Sequence, residues 1–254
     1  NLKCRYSGLV PNCAVIVATI RALKMHGGGP KVVPGKPLAR VYNEPSPALV
    51  EKGLDNLMAH IETVKKSRVN PVVCINHFRT DSDEEVELVR KAAESVGARV
   101  AVSRHWERGG EGAIELAQAV LDACNEEPKF RLLYEDDVPL RDKIIRIATE
   151  VYGASGVNYS DECAKKIKDI EADDDLRKLG VCMVKTHLSL SHDPELKGRP
   201  KGWTLPIRDV LVYRGAGVIC PVAGDIKLMP GTASDPAFRR FDVDVNSGKV
   251  TGLF

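Results

Sequence analysis

Short apolar runs alternate with amphipathic segments along the first 127 residues of the chain. Three runs predict strands: Cys13–Thr19, Pro71–Ile75 and Arg99–Val102. Apolar residues at helical spacing predict helices over Leu49–Lys66, Asp83–Ser95 and Ala113–Cys124. This alternation is typical of a parallel sheet with crossover helices, so we predict an α/β fold. Because three strands are few for a doubly wound sheet, we expect further strands from an N-terminal portion outside this chain.

The hydrophobic pattern changes after about residue 134. Two predicted helices, Asp142–Tyr152 and Glu162–Ile170, are followed by short β-like runs at Val181–Val184, Trp203–Ile207, Val210–Tyr213 and Val218–Cys220. Helices followed by a series of strands predict an α+β arrangement. We therefore predict an α/β domain over residues 1–134 and a smaller α+β domain over residues 135–254.

Two polar and aromatic segments follow neighbouring strands of the predicted sheet. Asn76-His77-Phe78-Arg79-Thr80-Asp81 comes after the second strand, and Ser103-Arg104-His105-Trp106 comes after the third. In open α/β sheets, ligands bind outside the carboxyl ends of the strands. We therefore predict a crevice in which Phe78 and Trp106 sandwich a flat heteroaromatic ligand, together with Asn76, Asp81 and Ser103. From the residues alone, a strand-end loop with a partly buried Phe explains the first segment equally well.

A glycine-rich loop follows the first strand, within Lys24-Met25-His26-Gly27-Gly28-Gly29. We predict that Lys24, His26, Gly27 and Gly28 line the same crevice, because consecutive glycines allow unusual backbone angles and close approach. The alternative is a packed helix from Ile20 that glycine ends. Neither this loop nor any other segment has the GxxxxGK[ST] spacing of a phosphate-binding P-loop.

Composition and charge exclude several classes of protein. The formal net charge is +2, and no basic stripe with interleaved aromatic residues occurs, so we expect no nucleic-acid partner. No apolar run approaches the roughly 20 residues that span a bilayer. No signal peptide is recognisable, and we expect a cytoplasmic protein without membrane association. The seven cysteines form no CxxC pair, which fits small buried residues in a reducing compartment.

Two polar clusters could carry chemistry of their own. His187 and His192 are five residues apart without Cys or carboxylate at ligand spacing, so metal binding is the less favoured interpretation. Glu135-Asp136-Asp137 could supply catalytic carboxylates, but a solvated turn fits its surroundings better. We expect no metal site, and these patterns identify no catalytic residue.

Several motifs resemble the formate–tetrahydrofolate ligase (10-formyltetrahydrofolate synthetase) family, and they occur in the family's order. The most specific is the string Val17-Ala18-Thr19-x-Arg21-Ala22-Leu23-Lys24-Met25-His26-Gly27-Gly28. The others are Lys3-Cys4-Arg5, Asn76-x-Phe78-x-Thr80-Asp81, Trp106-x-x-Gly109-Gly110-Glu111-Gly112, Lys143-Ile144, Ile147-Ala148, Val181-Cys182-Met183-Val184-Lys185-Thr186, Gly198-Arg199-Pro200, Met229-Pro230-Gly231 and Thr251-Gly252-Leu253-Phe254. The resemblance covers the whole chain.

The resemblance implies a reaction and its ligands. ATP phosphorylates formate to formyl phosphate, the amine of tetrahydrofolate attacks the formyl carbon, and Mg²⁺ assists. It also implies a P-loop-NTPase-like domain, a tetramer that monovalent cations often stabilise, and a ligand ring flanked by Phe78 and Trp106. The family's phosphate-binding loop precedes the stretch that matches Asn1. We therefore expect the N-terminal half of the same enzyme as a partner.

The sequence departs from the family's pattern in three loops. Glu171–Gly180 lacks a Gly-Phe-Gly-Asn-Leu-Pro string, Thr232–Pro236 replaces Leu-Pro-x-Arg-Pro, and Lys31–Pro47 is longer than in many bacterial members. We interpret the chain as the C-terminal half of a formate–tetrahydrofolate ligase of one-carbon metabolism. The alternative is a non-catalytic folate- or nucleotide-binding assembly subunit.

Overall fold

A parallel three-stranded sheet, the first sheet, organises the early part of the chain. Its strands are β1 (Cys13–Ala18), β2 (Asn70–Asn76) and β3 (Arg99–Ser103), in the order β1-β2-β3. The register pairs Val15 with Val72 and Asn76 with Ser103, and both strand pairs are parallel. The predicted parallel α/β arrangement is therefore confirmed for this part.

The coordinates come from a computed structural model. They describe residues 1–33, 35–224, 226, 235–236, 239–247 and 250–252. The Met229-Pro230-Gly231 motif, residues 232–234 of the divergent loop and the terminal Leu253-Phe254 lie outside the described residues.

Six helices lie in the first part of the chain, among the residues that the structure describes. They are α1 (Lys3–Ser7), α2 (Ile20–His26), α3 (Pro47–Lys66), α4 (Asp83–Ser95), α5 (His105–Arg108) and α6 (Ile114–Cys124). The first of them, α1, precedes the first sheet and contacts the later part of the chain through Arg5 and Tyr6, and the other five follow the strands of the sheet. Short 3-10 turns lie at Arg40–Tyr42 and Gly109–Ala113. The starts of α2 and α4 follow local sequence, because Thr19 and Ser82 accept hydrogen bonds from the first-turn amides, and Glu85 completes a capping box with Ser82.

The two faces of the first sheet are covered unequally. One core packs α2, α3 and α4 against the strands, with Val73, Ile75 and Val100 at its centre. The other face carries α6, which contacts β3, β2 and, to a smaller extent, β1. At the edge, Val15 and Val17 of β1 remain 43% and 64% exposed. The outer strand of the sheet is therefore an apolar edge.

A second, mixed sheet organises the later part of the chain. Its elements are α7 (Leu140–Arg146), which continues into a π-helical turn (Ile147–Val151), then β4 (Gly156–Tyr159), α8 (Asp161–Glu171), β5 (Gly180–Val181), β6 (Thr204–Tyr213), a 3-10 turn (Arg214–Ala216) and β7 (Val218–Ala223). The strand order is β4-β6-β7-β5, with β6 and β7 antiparallel and the other two pairs parallel. A small hairpin follows, formed by β8 (Asp242–Val243) and β9 (Val250–Thr251).

Several sequence predictions need correction. Between the third predicted strand and the helix that follows it, the sequence predicts a loop over Glu107–Gly112. Its residues fall instead in α5 and the 3-10 turn after it. The two predicted runs Trp203–Ile207 and Val210–Tyr213 form one strand, which has an irregularity between Ile207 and Asp209. A bulge of this kind breaks the period-two pattern while the strand continues. Within the described residues, no helix is long and apolar enough to cross a membrane.

Candidate functional site

The residues predicted to contact a ligand lie at the carboxyl ends of the first sheet. Parallel pairing brings the segment after β2 beside the segment after β3, with Asn76 opposite Ser103. Asn76, Phe78, Asp81, Ser103 and Trp106 therefore share one edge of the sheet, where open α/β folds bind ligands.

Phe78 is covered on one side by an arginine. The guanidinium carbon of Arg21, from α2, lies 4.5 Å from the centre of the Phe78 ring. The same guanidinium donates a hydrogen bond to Thr80 Oγ1 at 3.2 Å. Cation–π contact of this kind holds the ring in place. Arg21 occupies one face of Phe78, so a ligand could stack only on the opposite face.

Trp106 lies in α5 and is 86% exposed. Burial of an indole normally stabilises a protein substantially, so an exposed one marks a surface available to a ligand or another chain. Its helix is fixed by Gly112, because a Cβ there would lie 2.4 Å from the carbonyl oxygen of Arg104. Arg104 N in turn donates to the Gly112 carbonyl at 2.8 Å.

Asp81 presents a buried carboxylate oxygen at the same edge. Its Oδ2 accepts a hydrogen bond from the Phe78 amide at 2.9 Å. Among the described residues, its Oδ1 and the Nε of Arg21 are buried without a hydrogen-bond partner. Burial, more than any other cause, raises the pKa of Asp81 above its usual value. Buried polar atoms in proteins are nearly always paired, so a free carboxylate oxygen here points to an absent N–H donor.

Polar contacts join the two strand-end segments. Arg104 donates to His77 Nδ1 at 3.0 Å, and the Arg79 and Glu107 side chains form an ion pair at 3.2 Å. Ser103 is fully buried, and its hydroxyl lies 2.8 Å from His105 Nδ1. Ser103 therefore orients a neighbouring side chain and has no exposed surface of its own.

The glycine-rich segment combines a packed helix with a tight turn. Residues 20–26 form α2, as the alternative interpretation had it, and the Lys24 side chain is fully buried. Lys24 therefore has no surface facing an open crevice. A Cβ at Gly27 would lie 1.9 Å from the Leu49 carbonyl oxygen, whereas Gly28 has φ +103° and open space around it. His26, one of the four predicted residues, lines two cavities.

Sequence reasoning gave no role to Arg21, His77 or Arg104, although all three shape this edge. Arg21 stood within the most specific family string, which was the signal available. Within the described part of the chain, no group of three or more His, Cys, Asp or Glu residues could hold a metal ion.

Comparison with known proteins identifies the family of this chain. The family model described as formate–tetrahydrofolate ligase matches residues 1–254. Proteins named formate–tetrahydrofolate ligase from Dehalococcoides mccartyi (strain 195) and Desulfotalea psychrophila are 63% and 61% identical to the chain over all of its 254 residues. The chain spans 42% and 46% of the lengths of these two relatives. This chain belongs to the formate–tetrahydrofolate ligase family.

Proposed function

We propose that this chain is the folate-binding part of an enzyme that formylates tetrahydrofolate at the expense of ATP. Formate attacks the γ-phosphorus of ATP, which gives formyl phosphate and ADP. The amine of tetrahydrofolate then attacks the formyl carbon, phosphate leaves, and the amine loses a proton. The names of the relatives, and the polar and aromatic side chains at the carboxyl ends of the first sheet, support this proposal.

The observation that carries the proposal is the free Oδ1 of Asp81 beside Phe78 and near the strand end that bears Trp106. A pterin or adenine ring is flat and carries N–H groups along one edge. Such a ring would stack on the uncovered face of Phe78 and donate a hydrogen bond to Asp81. The exposed indole of Trp106 would cover the other face of the ligand, and Asn76 would contact its edge. The neighbouring Arg21 keeps the Phe78 ring from turning.

The sequence of this chain contains no phosphate-binding P-loop. Phosphoryl transfer relies on a loop, a lysine and Mg²⁺ that neutralise phosphate charge. The 254 residues contain no GxxxxGK[ST] motif, and the described ones form no cluster of metal ligands. We therefore propose that the rest of the enzyme binds the ATP phosphates and Mg²⁺.

The edge of the first sheet is the surface we propose for that association. Among the described residues, β1 pairs only with β2, and an unpaired strand edge readily accepts another strand. Exposed apolar side chains surround this edge: Val15, Val17, Ile114 and Leu121. The N-terminal half of the enzyme, which the family resemblance implies, would extend the sheet here and bury this apolar patch.

The proposal has five further parts: a domain division at residue 134, a P-loop-NTPase-like first domain, a cytoplasmic location, a homo-oligomer and a stabilising monovalent cation. They rest on the sequence pattern and the family resemblance.

A chimera tests the function directly. The matched segment of the Dehalococcoides mccartyi relative is replaced by this chain, and formyl-tetrahydrofolate formation is followed with ATP and formate. We expect activity in the chimera and none in the 254-residue chain purified alone. Turnover by the isolated chain, with its mass verified, would contradict the proposal that the rest of the enzyme binds the ATP phosphates and the metal. A folded chimera that binds tetrahydrofolate but makes no product would favour a non-catalytic binding subunit.

The proposed interface has its own test. Val17→Lys, at a side chain that is 64% exposed, should weaken association between the chain and the separately expressed N-terminal segment of the relative. Val245→Lys, at a position 89% exposed near the hairpin, serves as the matched control. Equal association of both variants and the unsubstituted chain would rule out the β1 edge.

A further inference from the structure

A cavity of about 310 Å³ lies between elements of the first and second sheets. Neither Phe78 nor Trp106 is among its lining residues. Its lining is rich in hydrogen-bonding and cationic side chains and consists of His26, Asn56, His60, Tyr152, Met183, Lys185, Thr186, His187, Ser189 and Leu190. No carboxylate is among these lining residues.

Hydrogen bonds across the gap hold the walls of the cavity together. Asn56, from α3, donates from Nδ2 to the Gly198 carbonyl oxygen at 2.9 Å. The Gly198 amide donates to His26 Nδ1 at 3.1 Å. The cavity is therefore built from both sides by fixed contacts.

Lys185 places a positive charge at this cavity without a counter-ion. Its ammonium lies 4.5 Å from the centre of the Tyr152 ring and donates to three carbonyl oxygens, those of Thr186, Ser189 and Ser191. Within the described residues it forms no ion pair. Burial lowers the pKa of Lys185 to about 8. A half-buried ammonium without an anion is costly, and carbonyl dipoles offset only part of that cost.

Three other side chains on the cavity wall carry hydrogen-bonding atoms that are available to a ligand. The Tyr152 hydroxyl and both ring nitrogens of His60 have no hydrogen-bond partner in the described part of the chain. His26 accepts through Nδ1, so its neutral ring carries the proton on Nε2 and can donate there. Burial, and then the charge of Lys185, hold the pKa of His60 below its usual value.

We infer that this cavity binds a small oxyanion, a carboxylate or a phosphate-like group, through Tyr152, His60 and His26, in the field of Lys185. The bound anion supplies the negative charge that the cavity lacks. Lys185 acts through its charge, because its three N–H groups already donate to carbonyls. None of the residues that follow β2 and β3 lines this cavity, so the test of anion binding is separate from the test of formylation.

Anion binding at this place has a defined pH dependence. The titratable or charged groups around the cavity are His26, His60, Tyr152, Lys185 and His187, with Lys197 acting on His26 and Cys182 acting on Tyr152. A bound anion favours the protonated forms of Lys185 and His60, so protons are taken up with it. Affinity should therefore rise as pH falls from 9 to 6.

Sulfate is the probe, because its charge is constant over this pH range. Binding to the full chain is followed by calorimetry, together with the ε1 proton shift of His60 in NMR spectra. Tyr152→Phe keeps the ring under Lys185 and removes only the hydroxyl, and His60→Gln removes the titrating group. Tyr213→Phe, at a half-exposed tyrosine far along β6, is the matched control. Acetate in place of sulfate distinguishes a carboxylate ligand from a phosphate-like one.

We expect Tyr152→Phe and His60→Gln to weaken sulfate or acetate binding about tenfold each, as loss of a hydrogen bond to a charged group would. Tyr213→Phe should bind as the unsubstituted chain does, and sulfate should raise the pKa of His60. Affinities that are equal in all variants, or that do not change with pH, would overturn the proposal. The proposal would also be overturned if the complete chimera bound no anion in this cavity because a carboxylate from its other segment occupied it.

Discussion

Lys24 Nζ lies 2.7 Å from Glu85 Oε1, and both side chains are fully buried. The pair joins α2 to the start of α4. Lys24 also donates to the Glu44 carbonyl oxygen, and Glu85 accepts from the amides of Ser46 and Ser82. One buried contact therefore fixes the glycine-rich segment, the loop before α3 and the N-terminus of α4.

Removal of one member of this pair should destabilise the fold strongly. Lys24→Met leaves a buried carboxylate without its cation, and we expect a loss of about 3–5 kcal/mol in the free energy of unfolding. Lys24→Met combined with Glu85→Gln should recover part of that loss, since glutamine is neutral and keeps the capping box. Urea denaturation measures both, with the exposed Glu84→Gln as control. A double variant less stable than Lys24→Met would contradict the interpretation.

The Lys24–Glu85 pair should also affect how the stability of the fold changes at low pH. Burial raises the pKa of Glu85, but hydrogen bonds from Lys24 and from the Ser46 and Ser82 amides outweigh burial, so its pKa lies below the usual value. A lowered folded-state pKa gives stability that is present above the unfolded value of about 4.3 and lost as pH falls through the folded one. The stability difference between the chain and the Lys24→Met/Glu85→Gln variant should therefore shrink below about pH 4.

Asp81→Asn should separate ligand binding from stability. The raised pKa of Asp81 means that the folded state holds the ionised carboxylate poorly, so this group costs stability as pH rises above its unfolded value. Asparagine keeps an acceptor for the Phe78 amide and carries no charge. At pH 7 we expect an equal or higher Tm, with tetrahydrofolate or nucleotide affinity about tenfold weaker in the chimera. A lower Tm with unchanged affinities would make Asp81 structural.

Trp106→Ala should cost little stability because its indole is 86% exposed. A lost stacking contact of about 0.5–1.5 kcal/mol should raise the apparent constant for tetrahydrofolate or nucleotide in the chimera roughly two- to tenfold. Ligand should also change the fluorescence of Trp106 more than that of the buried Trp203, which single Trp→Phe variants resolve. Unchanged constants for both ligands would remove Trp106 from the site.

Gly27→Ala should destabilise the chain through helix contact. A Cβ at Gly27 would meet the Leu49 carbonyl oxygen at 1.9 Å, and α2 and α3 would have to separate. We expect a loss of about 2–3 kcal/mol or more. Gly215→Ala is the matched control, because nothing lies within 4 Å of a Cβ there. Thermal or urea unfolding that shows equal losses would refute the packing role of Gly27.

Local patterns in the sequence were sufficient to predict the parallel arrangement of the first sheet. Short β-branched runs, helical spacing and the Ser82–Glu85 capping box act within a few residues, so they can be recognised without the fold. The predicted bounds of α4 coincide with the observed helix Asp83–Ser95. The placement of Asn76 opposite Ser103 also follows from parallel order, because strands of one direction end at the same edge.

Only the tertiary structure decided which of these side chains are available to a ligand. Lys24 looks like a crevice residue in sequence, yet Glu85, which lies 61 positions later, holds it in the core. Arg21 covers Phe78 across a similar distance along the chain. The cavity at Lys185 needs residues from α2, α3 and the second sheet region. Contacts between such distant positions depend on packing, and no periodicity or motif records them.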